Sequence, residues 1–146
     1  LKAIVTAGPT NEYIDPVRFI TNKSSGKQGY EIAKSLSRNG YKTTLILGPT
    51  NLKINDEINV IKVETAEQMF KETQKNLPVD VAICAAAVSD YKPVRKSKVK
   101  IKKDLDEFNN LWHQPDASER KMRLLKACFD SSVFTMDPMP PRLGAF

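Results

Sequence analysis

The sequence has few cysteines, a single histidine and no long apolar run. Cys84 and Cys128 lie far apart without metal-type spacing, so neither a disulfide scaffold nor a protein metal cluster is predicted. Sparse cysteine usage favours a reduced, cytoplasmic protein, and Cys84, inside an apolar run, is expected to be a buried thiol. No apolar stretch approaches the roughly 18 residues that span a membrane, and no secretory signal is recognisable. The length of 146 residues fits one domain.

The net charge of +6 comes from one segment. Residues 92–103 contain seven cations and no acid: Lys92, Arg95, Lys96, Lys98, Lys100, Lys102 and Lys103. Without this segment the remaining charges nearly cancel, so the basicity is a local patch that suits a polyanion. A solvated basic loop is the alternative. Nucleic-acid binding is not predicted, because aromatic residues are sparse there and no helix-turn-helix or zinc-finger pattern occurs.

Short apolar runs alternate with amphipathic segments along the first two thirds of the chain. Strands are predicted over 2–8, 42–48, 59–63 and 80–88, and helices over 24–40 and 65–77. This alternation predicts an α/β, Rossmann-like fold in which helices cover both faces of a parallel sheet, giving three layers. Ligands of such folds bind beyond the carboxyl ends of the strands. The tetrapeptide Gly-Pro-Thr-Asn follows a strand at 8–11 and again at 48–51, which predicts two similar strand-end turns.

The segment Ser-Ser-Gly-Lys at 24–27 opens the first predicted helix. Either serine is expected to cap it, as Thr65 caps the second helix. Backbone N–H groups, the positive end of the helix dipole, two hydroxyls and a cation together favour an anion site, although a plain cap is the alternative. On the preceding loop, Arg18 offers a fork of donors for a phosphate or carboxylate, and Asn22 can both donate and accept.

The common nucleotide fingerprints do not match. A P-loop needs a glycine, four further residues and then Gly-Lys followed by Ser or Thr. Here Gln28 follows Lys27, and Thr21 stands where the first glycine is required. The first strand ends in Gly8-Pro9-Thr10 rather than in a glycine triplet. An NAD(P)-binding oxidoreductase is therefore disfavoured, although its fold class is compatible with the sequence.

Four stretches carry a resemblance to a known family: "AGPTNEYIDPVRFITNKSSGKQGYEIA", "LILGPT", "AICAAAVSDYKP" and "KVKIKK". Together they resemble phosphopantothenate–cysteine ligase of coenzyme A biosynthesis, often the C-terminal half of a bifunctional protein with a flavin-dependent decarboxylase. The resemblance covers residues 1–103 and implies a nucleotide-binding ligase domain there. No flavin is expected in this chain, because the decarboxylase motifs are not recognised in it.

The resemblance implies a reaction in two steps. The carboxylate of 4′-phosphopantothenate attacks the α-phosphate of CTP, which releases pyrophosphate and leaves an acyl-cytidylate. The amine of cysteine then attacks the acyl carbonyl, giving an amide and CMP. Magnesium would neutralise the triphosphate. The implied partners are these small substrates, and the family's ligases are commonly dimers, which leaves a homodimer open.

The motif matches imply roles for individual residues. Asn22 would handle the acyl-cytidylate and its conversion, Arg18 would act in the second step or in substrate placement, and Lys100 would contact the triphosphate during activation. The basic segment would then be a mobile flap over a polyphosphate. The residues implied to bind nucleotide are Ser24, Ser25, Gly26, Lys27, Ala85, Ala86, Ala87, Asp90 and Lys100.

The sequence departs from the family after "KIKK". The family's next strand, its Asn-Pro-Asp segment and its later lysine-bearing loop are not recognisable in residues 104–146. We therefore expect the C-terminal part of the fold to be missing, with a divergent or truncated tail that forms at most one helix, near 117–128, and is partly disordered. A weakly active or inactive ligase is expected, and a non-catalytic nucleotide- or anion-binding remnant is the alternative.

Overall fold

The computed structural model describes residues 1–54 and 58–101, and the backbone of a short strand at 112–113. Two helices are present in this part of the chain, α1 (Lys27–Arg38) and α2 (Ala66–Lys75). The strands are β1 (Lys2–Ala7), β2 (Asn11–Tyr13), β3 (Phe19–Thr21), β4 (Lys42–Leu47), β5 (Asn59–Lys62), β6 (Val81–Cys84), β7 (Lys92–Pro93) and β8 (Trp112–His113).

Four strands form a parallel sheet in the order β5-β4-β1-β6. The register places Lys2 opposite Lys42 and Ala7 opposite Leu47, so β1 and β4 end at the same level. On its other side, β1 pairs with β6. The carboxyl ends of these strands therefore meet at one edge of the sheet. This confirms the predicted α/β fold with a parallel sheet.

Alternate residues of the central strands enter two separate hydrophobic clusters. The cluster against α2 contains Ile4, Ile46, Val63, Met69, Val79 and Ala82. The cluster against α1 contains Val5, Ala7, Tyr30, Ala33, Leu45 and Leu47. Because side chains alternate between the faces of a strand, this division places one helix on each face of the sheet. The predicted three-layer arrangement is confirmed.

The first helix begins differently from the prediction. Its N-cap is Gly26, with φ of 73°, and no side chain caps the helix there. Ser24 and Ser25 instead lie in the turn before it, where their hydroxyls accept weak hydrogen bonds from the N–H groups of Gly26 (3.3 Å) and Lys27 (3.4 Å). The predicted serine cap is therefore wrong. A positive φ favours glycine, and a Cβ at this position would lie 3.2 Å from the backbone of Gly8.

The second helix begins as predicted. The Thr65 hydroxyl accepts a hydrogen bond from the N–H of Gln68 (3.2 Å), and Gln68 Oε1 accepts one from the N–H of Thr65 (3.2 Å). These reciprocal bonds form a capping box, which satisfies backbone donors that have no partner within the helix. The end of α1 also agrees with the sequence, since Gly40, at φ of 84°, follows its last turn.

An antiparallel hairpin, β2–β3, occupies part of the segment that was predicted as a loop. Its first strand contacts the start of α2, because the N–H of Asn11 donates to the carbonyl of Glu64 (2.7 Å) and Glu12 Oε1 accepts from the N–H of Ala66 (2.9 Å). Three-residue strands are too short to show a reliable alternation of apolar and polar residues. The hairpin could therefore not be predicted from the sequence pattern.

The fourth predicted strand is shorter than expected. β6 ends at Cys84, and Ala85, Ala86 and Ala87 follow it. Cys84 is exposed, so the predicted buried thiol is wrong. Cys84 is exposed because it lies at the end of β6, which is an outer strand of the described sheet. The apolar sequence around Cys84 does not show whether its strand is central or outer.

Glycines allow very close packing at the carboxyl edge of the sheet. A Cβ built on Gly48 would lie 1.7 Å from the carbonyl oxygen of Pro9, and one on Gly29 would lie 2.4 Å from the Cβ of Ala7. The two Gly-Pro-Thr-Asn segments are therefore in direct contact after β1 and β4. This confirms two strand-end turns and shows that they pack on each other.

Most of the predicted C-terminal tail lies outside the described residues, including the helix expected near 117–128 and the boundary after Lys103. The strand β8 is described, and it pairs antiparallel with β7, with His113 opposite Lys92. No strand was predicted there. Across the ranges that the structure covers, no helix has the length and apolar character needed to cross a membrane.

The close contact at Gly48 predicts a large effect of a single methyl group. We expect Gly48→Ala to lower the free energy of unfolding by about 3 kcal/mol, because the new Cβ overlaps a backbone oxygen that cannot rotate away. Gly40→Ala is the control: nothing lies within 4 Å of its Cβ position, so only the positive φ costs energy, about 1 kcal/mol. Urea unfolding of both variants measures the difference, and equal losses would contradict the packing argument.

Candidate functional site

A cleft of about 540 Å³ opens at the carboxyl edge of the sheet. Both strand-end turns and the segment between β3 and α1 form its walls. Its lining residues are Pro9, Asn11, Phe19, Thr21, Asn22, Lys23, Ser24, Ser25, Pro49, Thr50, Asn51 and Leu52. This is the position at which ligands of parallel α/β sheets bind. Three of the sequence-predicted site residues, Asn22, Ser24 and Ser25, therefore line one cleft.

Asn22 lies directly after β3 and connects this cleft to the segment after β6. Its side-chain amide donates to the carbonyl of Val88 (2.9 Å) and, more weakly, to that of Ala87 (3.5 Å). The amide nitrogen is therefore directed at the backbone that follows β6. The Oδ1 atom accepts no hydrogen bond from the described residues, so an acceptor is available beside the cleft.

The three alanines after β6 stay against the central strand. The N–H of Ala85 donates to the carbonyl of Thr6 (3.0 Å), and the N–H of Ala87 donates to the carbonyl of Gly8 (2.9 Å). Ala87 also forms an isolated parallel bridge with Pro9. The backbone predicted to approach the nucleotide is therefore fixed at the sheet edge, although the regular strand ends before it.

Ser24 and Ser25 form the turn before α1, which we call the serine turn. It is held by a residue that the sequence did not indicate. The Thr50 hydroxyl donates to the carbonyl of Ser25 (2.7 Å), and the N–H of Leu52 donates to the Thr50 hydroxyl (3.2 Å). Thr50 belongs to the second Gly-Pro-Thr-Asn segment, so the repeated tetrapeptide was the available signal. Lys27 is the exposed first residue of α1 and directly follows the serine turn. Hydroxyls, a cation and a helix N-terminus are therefore close together, as an anion site requires.

Arg18 lies away from this cleft, at the tip of the hairpin. Strand β3 separates it from Asn22, and the four residue steps between them correspond to about 13 Å in an extended strand. Its guanidinium donates through Nε (2.9 Å) and Nη2 to Asp15 Oδ2, and through Nη2 to the carbonyl of Ile101 (3.0 Å). The structure therefore places Arg18 beside the end of the basic segment rather than at the serine turn.

Asp15 is the buried partner of Arg18, and the sequence analysis gave it no role. Its side chain has no exposed surface, and it also accepts hydrogen bonds from the N–H groups of Val17 (2.8 Å), Arg18 (2.8 Å) and Ile101 (3.2 Å). These donors hold the pKa of Asp15 well below its usual range; Arg18 has the largest effect, whereas burial acts in the opposite direction. The carboxyl group therefore stays ionised in the folded protein throughout the physiological range.

Two further predicted residues, Asp90 and Lys100, are exposed and do not line the cleft. Asp90 follows Ser89, whose N–H donates to the Thr10 hydroxyl (2.9 Å) beside the first strand-end turn. Lys100 precedes the anchored Ile101. The predicted site residues thus form two groups, one at the sheet edge and one at the hairpin tip. Within the described ranges, no three His, Cys, Asp or Glu side chains gather in a group that could hold a metal ion.

Comparison with known proteins identifies the family. The model of the DNA/pantothenate metabolism flavoprotein C-terminal domain matches residues 1–120. The chain belongs to this family. The match confirms the resemblance found in the sequence motifs. Coenzyme A biosynthesis bifunctional protein CoaBC of Haemophilus influenzae is 42% identical over 118 residues, which cover 80% of this chain and 30% of that protein.

Solved structures show the same relationship. The C-terminal domain of a coenzyme A biosynthesis bifunctional protein CoaBC superposes with a TM-score of 0.59 at 40% identity, covering 69% of this chain and 54% of that one. The DNA/pantothenate metabolism flavoprotein from Streptococcus pneumoniae gives a TM-score of 0.60 at 36% identity, covering 64% and 42%. The matched region is thus about half of each larger structure. In those proteins the sheet described above is part of a longer fold.

The depressed pKa of Asp15 predicts an acid-sensitive fold. A carboxylate whose pKa is lower in the folded state stabilises the protein above its unfolded pKa of about 4, and this contribution is lost as the pH falls below that value. We expect the free energy of unfolding to fall between about pH 4 and pH 2, and Asp15→Asn to lower it at pH 7 and to reduce the slope at acid pH. Urea unfolding at several pH values measures this, and parallel curves for the two proteins would contradict it.

Proposed function

We propose that this chain is a ligase domain of coenzyme A biosynthesis that joins 4′-phosphopantothenate to cysteine, with CTP as the activating nucleotide. Family membership and the similarity to the coenzyme A biosynthesis proteins support the pathway. The observation that carries the proposal is that Asn22, Ser24 and Ser25 line one cleft. Asn22 also donates to the carbonyl of Val88, which directly follows the three alanines. The chain spans only part of its relatives' length, so activity of the whole ligase is part of the proposal.

In the first step, a substrate carboxylate attacks the α-phosphate of CTP and pyrophosphate leaves. A carboxylate is a poor acyl donor until it carries such a leaving group, and the mixed anhydride with CMP supplies one. The protein needs mainly to bind anions and to orient them. The serine turn and the N-terminus of α1 suit a phosphate, and the basic segment with Lys100 suits the triphosphate. Magnesium would arrive bound to the phosphates, since this ion is commonly held by one or two protein groups and substrate oxygens.

In the second step, the cysteine amine attacks the acyl carbonyl, the C–O bond to CMP breaks, and the nitrogen loses a proton. Asn22 suits this step because its amide nitrogen is bound to the carbonyl of Val88, which orients the side chain and leaves Oδ1 as an acceptor beside the cleft. An amine that attacks a carbonyl presents N–H groups to such an acceptor. Arg18 retains a side-chain exposure of 42%, so one face of its guanidinium remains accessible to an anionic substrate.

Nucleotide binding by the full chain tests the first part of the proposal. We expect saturable binding of CTP with magnesium in isothermal titration, and a Kd at least about tenfold higher for Lys100→Ala, since one charge-assisted contact to phosphate is lost. Lys71→Ala is the matched control, because Lys71 is an exposed α2 cation paired with Glu67 (3.3 Å). No binding at millimolar CTP would overturn the proposal, and an equal effect of both variants would remove the role of Lys100.

The role of Asn22 can be separated from nucleotide binding. We expect Asn22→Ala to keep pyrophosphate release and to slow amide formation on the order of 100-fold, as is typical when one positioned polar group is removed. Single-turnover assays with CTP, 4′-phosphopantothenate and cysteine measure both products. Asn59→Ala, an exposed residue of β5, is the control. Binding of CTP without any pyrophosphate or amide product in the unmodified chain would favour the non-catalytic remnant instead.

A further inference from the structure

The basic segment is attached to the hairpin at two places. We call residues 92–101 the basic strap. The N–H of Ser97 donates to the carbonyl of Ile14 (2.9 Å), and the Lys96 ammonium lies 4.6 Å from the centre of the Tyr13 ring. At the end of the strap, Ile101 is buried against the hairpin tip. The described part of the basic segment is therefore attached to the hairpin region at Lys96 and Ser97 and again at Ile101, whereas the three residues between these points are exposed.

The second attachment fixes both backbone polar groups of Ile101. Its N–H donates to Asp15 Oδ2 (3.2 Å), and its carbonyl accepts from Arg18 Nη2 (3.0 Å). Asp15 is central to this arrangement, because the same oxygen also binds the guanidinium of Arg18. A fully buried carboxylate that accepts several hydrogen bonds holds its partners in one geometry. The strap thus ends in a clamp rather than in a single contact.

The charge of the strap makes such a clamp necessary. Its cations are Lys92, Arg95, Lys96, Lys98 and Lys100, with no acid among them. Like charges this close repel one another and favour an extended, solvated segment. Lys100 is one residue from the clamped Ile101, so its Cα is within about 3.8 Å of a fixed point. The clamp therefore limits the positions that the Lys100 ammonium can reach.

We infer that Asp15 is a positioning residue for anion binding: with Arg18 it clamps Ile101, holds the basic strap on the hairpin and thereby sets the position of Lys100. The part that concerns Lys100 rests on the proposed function. Asp15 touches no substrate in this scheme. Its effect on an anionic substrate passes through Ile101 and Lys100, and its effect on the strap does not require any substrate.

Backbone exchange measures the clamp without any ligand. In the full chain, we expect Asp15→Asn to increase hydrogen exchange of peptides covering 94–101 at least tenfold, and to speed tryptic cleavage after Lys96, Lys98 and Lys100. Peptides covering β1 and β4 should exchange as in the unmodified protein. Asp80→Asn is the matched control, because Asp80 is exposed and accepts a hydrogen bond from the N–H of Lys2 (2.6 Å) at the amino ends of β1 and β6, at the opposite end of these strands from the cleft.

Unchanged exchange of the strap in Asp15→Asn would overturn the inference. If that variant does not fold, Arg18→Gln tests the same clamp, since it removes the donor to the Ile101 carbonyl and leaves the Asp15 carboxylate in place. We expect a smaller increase of exchange in the same peptides. Exchange that rises equally throughout the sheet would indicate general destabilisation and would also count against a local clamp.

A double-mutant cycle tests whether the clamp acts through Lys100. We expect Asp15→Asn to weaken binding of CTP with magnesium about tenfold in the unmodified background, and to have little effect in Lys100→Ala, because coupled residues are not additive. If the losses of CTP affinity in the two single variants simply add in the double variant, Asp15 does not position Lys100. The attachment of Ile101 would be unaffected by that result. If the unmodified chain binds no CTP, the proposed function fails, and the exchange experiment alone decides the clamp.

Discussion

The close approach of three backbone segments at the carboxyl edge of the sheet is the constraint on which the rest of the site depends. Gly8, Gly26, Gly29 and Gly48 lie where a Cβ would meet backbone or a buried side chain at 3.3 Å or less. Because these glycines have no side chains, the N-terminus of α1 can pack directly on the ends of β1 and β4. The cleft, the serine turn and the positive end of the helix dipole are close together only because this contact is possible.

The hairpin β2–β3 links this edge to the basic strap. It begins at the first strand-end turn, contacts the start of α2 through Glu12, and returns to the cleft at Asn22. Its tip carries a buried carboxylate whose charge is compensated by Arg18 and backbone donors. A buried charge is costly without such compensation, so these hydrogen bonds are needed for the carboxylate to stay buried. One end of the hairpin thus carries Asn22 at the cleft, and its tip carries Arg18 beside the basic strap.

Sequence reasoning was most reliable where a pattern repeats over several residues. The strands β1 and β4, the Thr65 cap of α2 and the three layers were predicted from apolar runs and cap residues. It failed at Gly26, where a positive φ rather than a serine begins the helix, and at the hairpin, whose strands are three residues long. It also missed Asp15 and Thr50, because a single polar residue in a loop does not reveal which distant backbone group it binds.

The sequence by itself determined the fold class and the family, since these depend on periodicity and on long ordered motifs. Only the tertiary structure decided that Asn22 binds the carbonyl of Val88, that Arg18 is clamped to Asp15 and Ile101, and that Cys84 is exposed. These facts depend on contacts between residues far apart in the chain. Such contacts arise from strand order and packing, which no local pattern of residue types records.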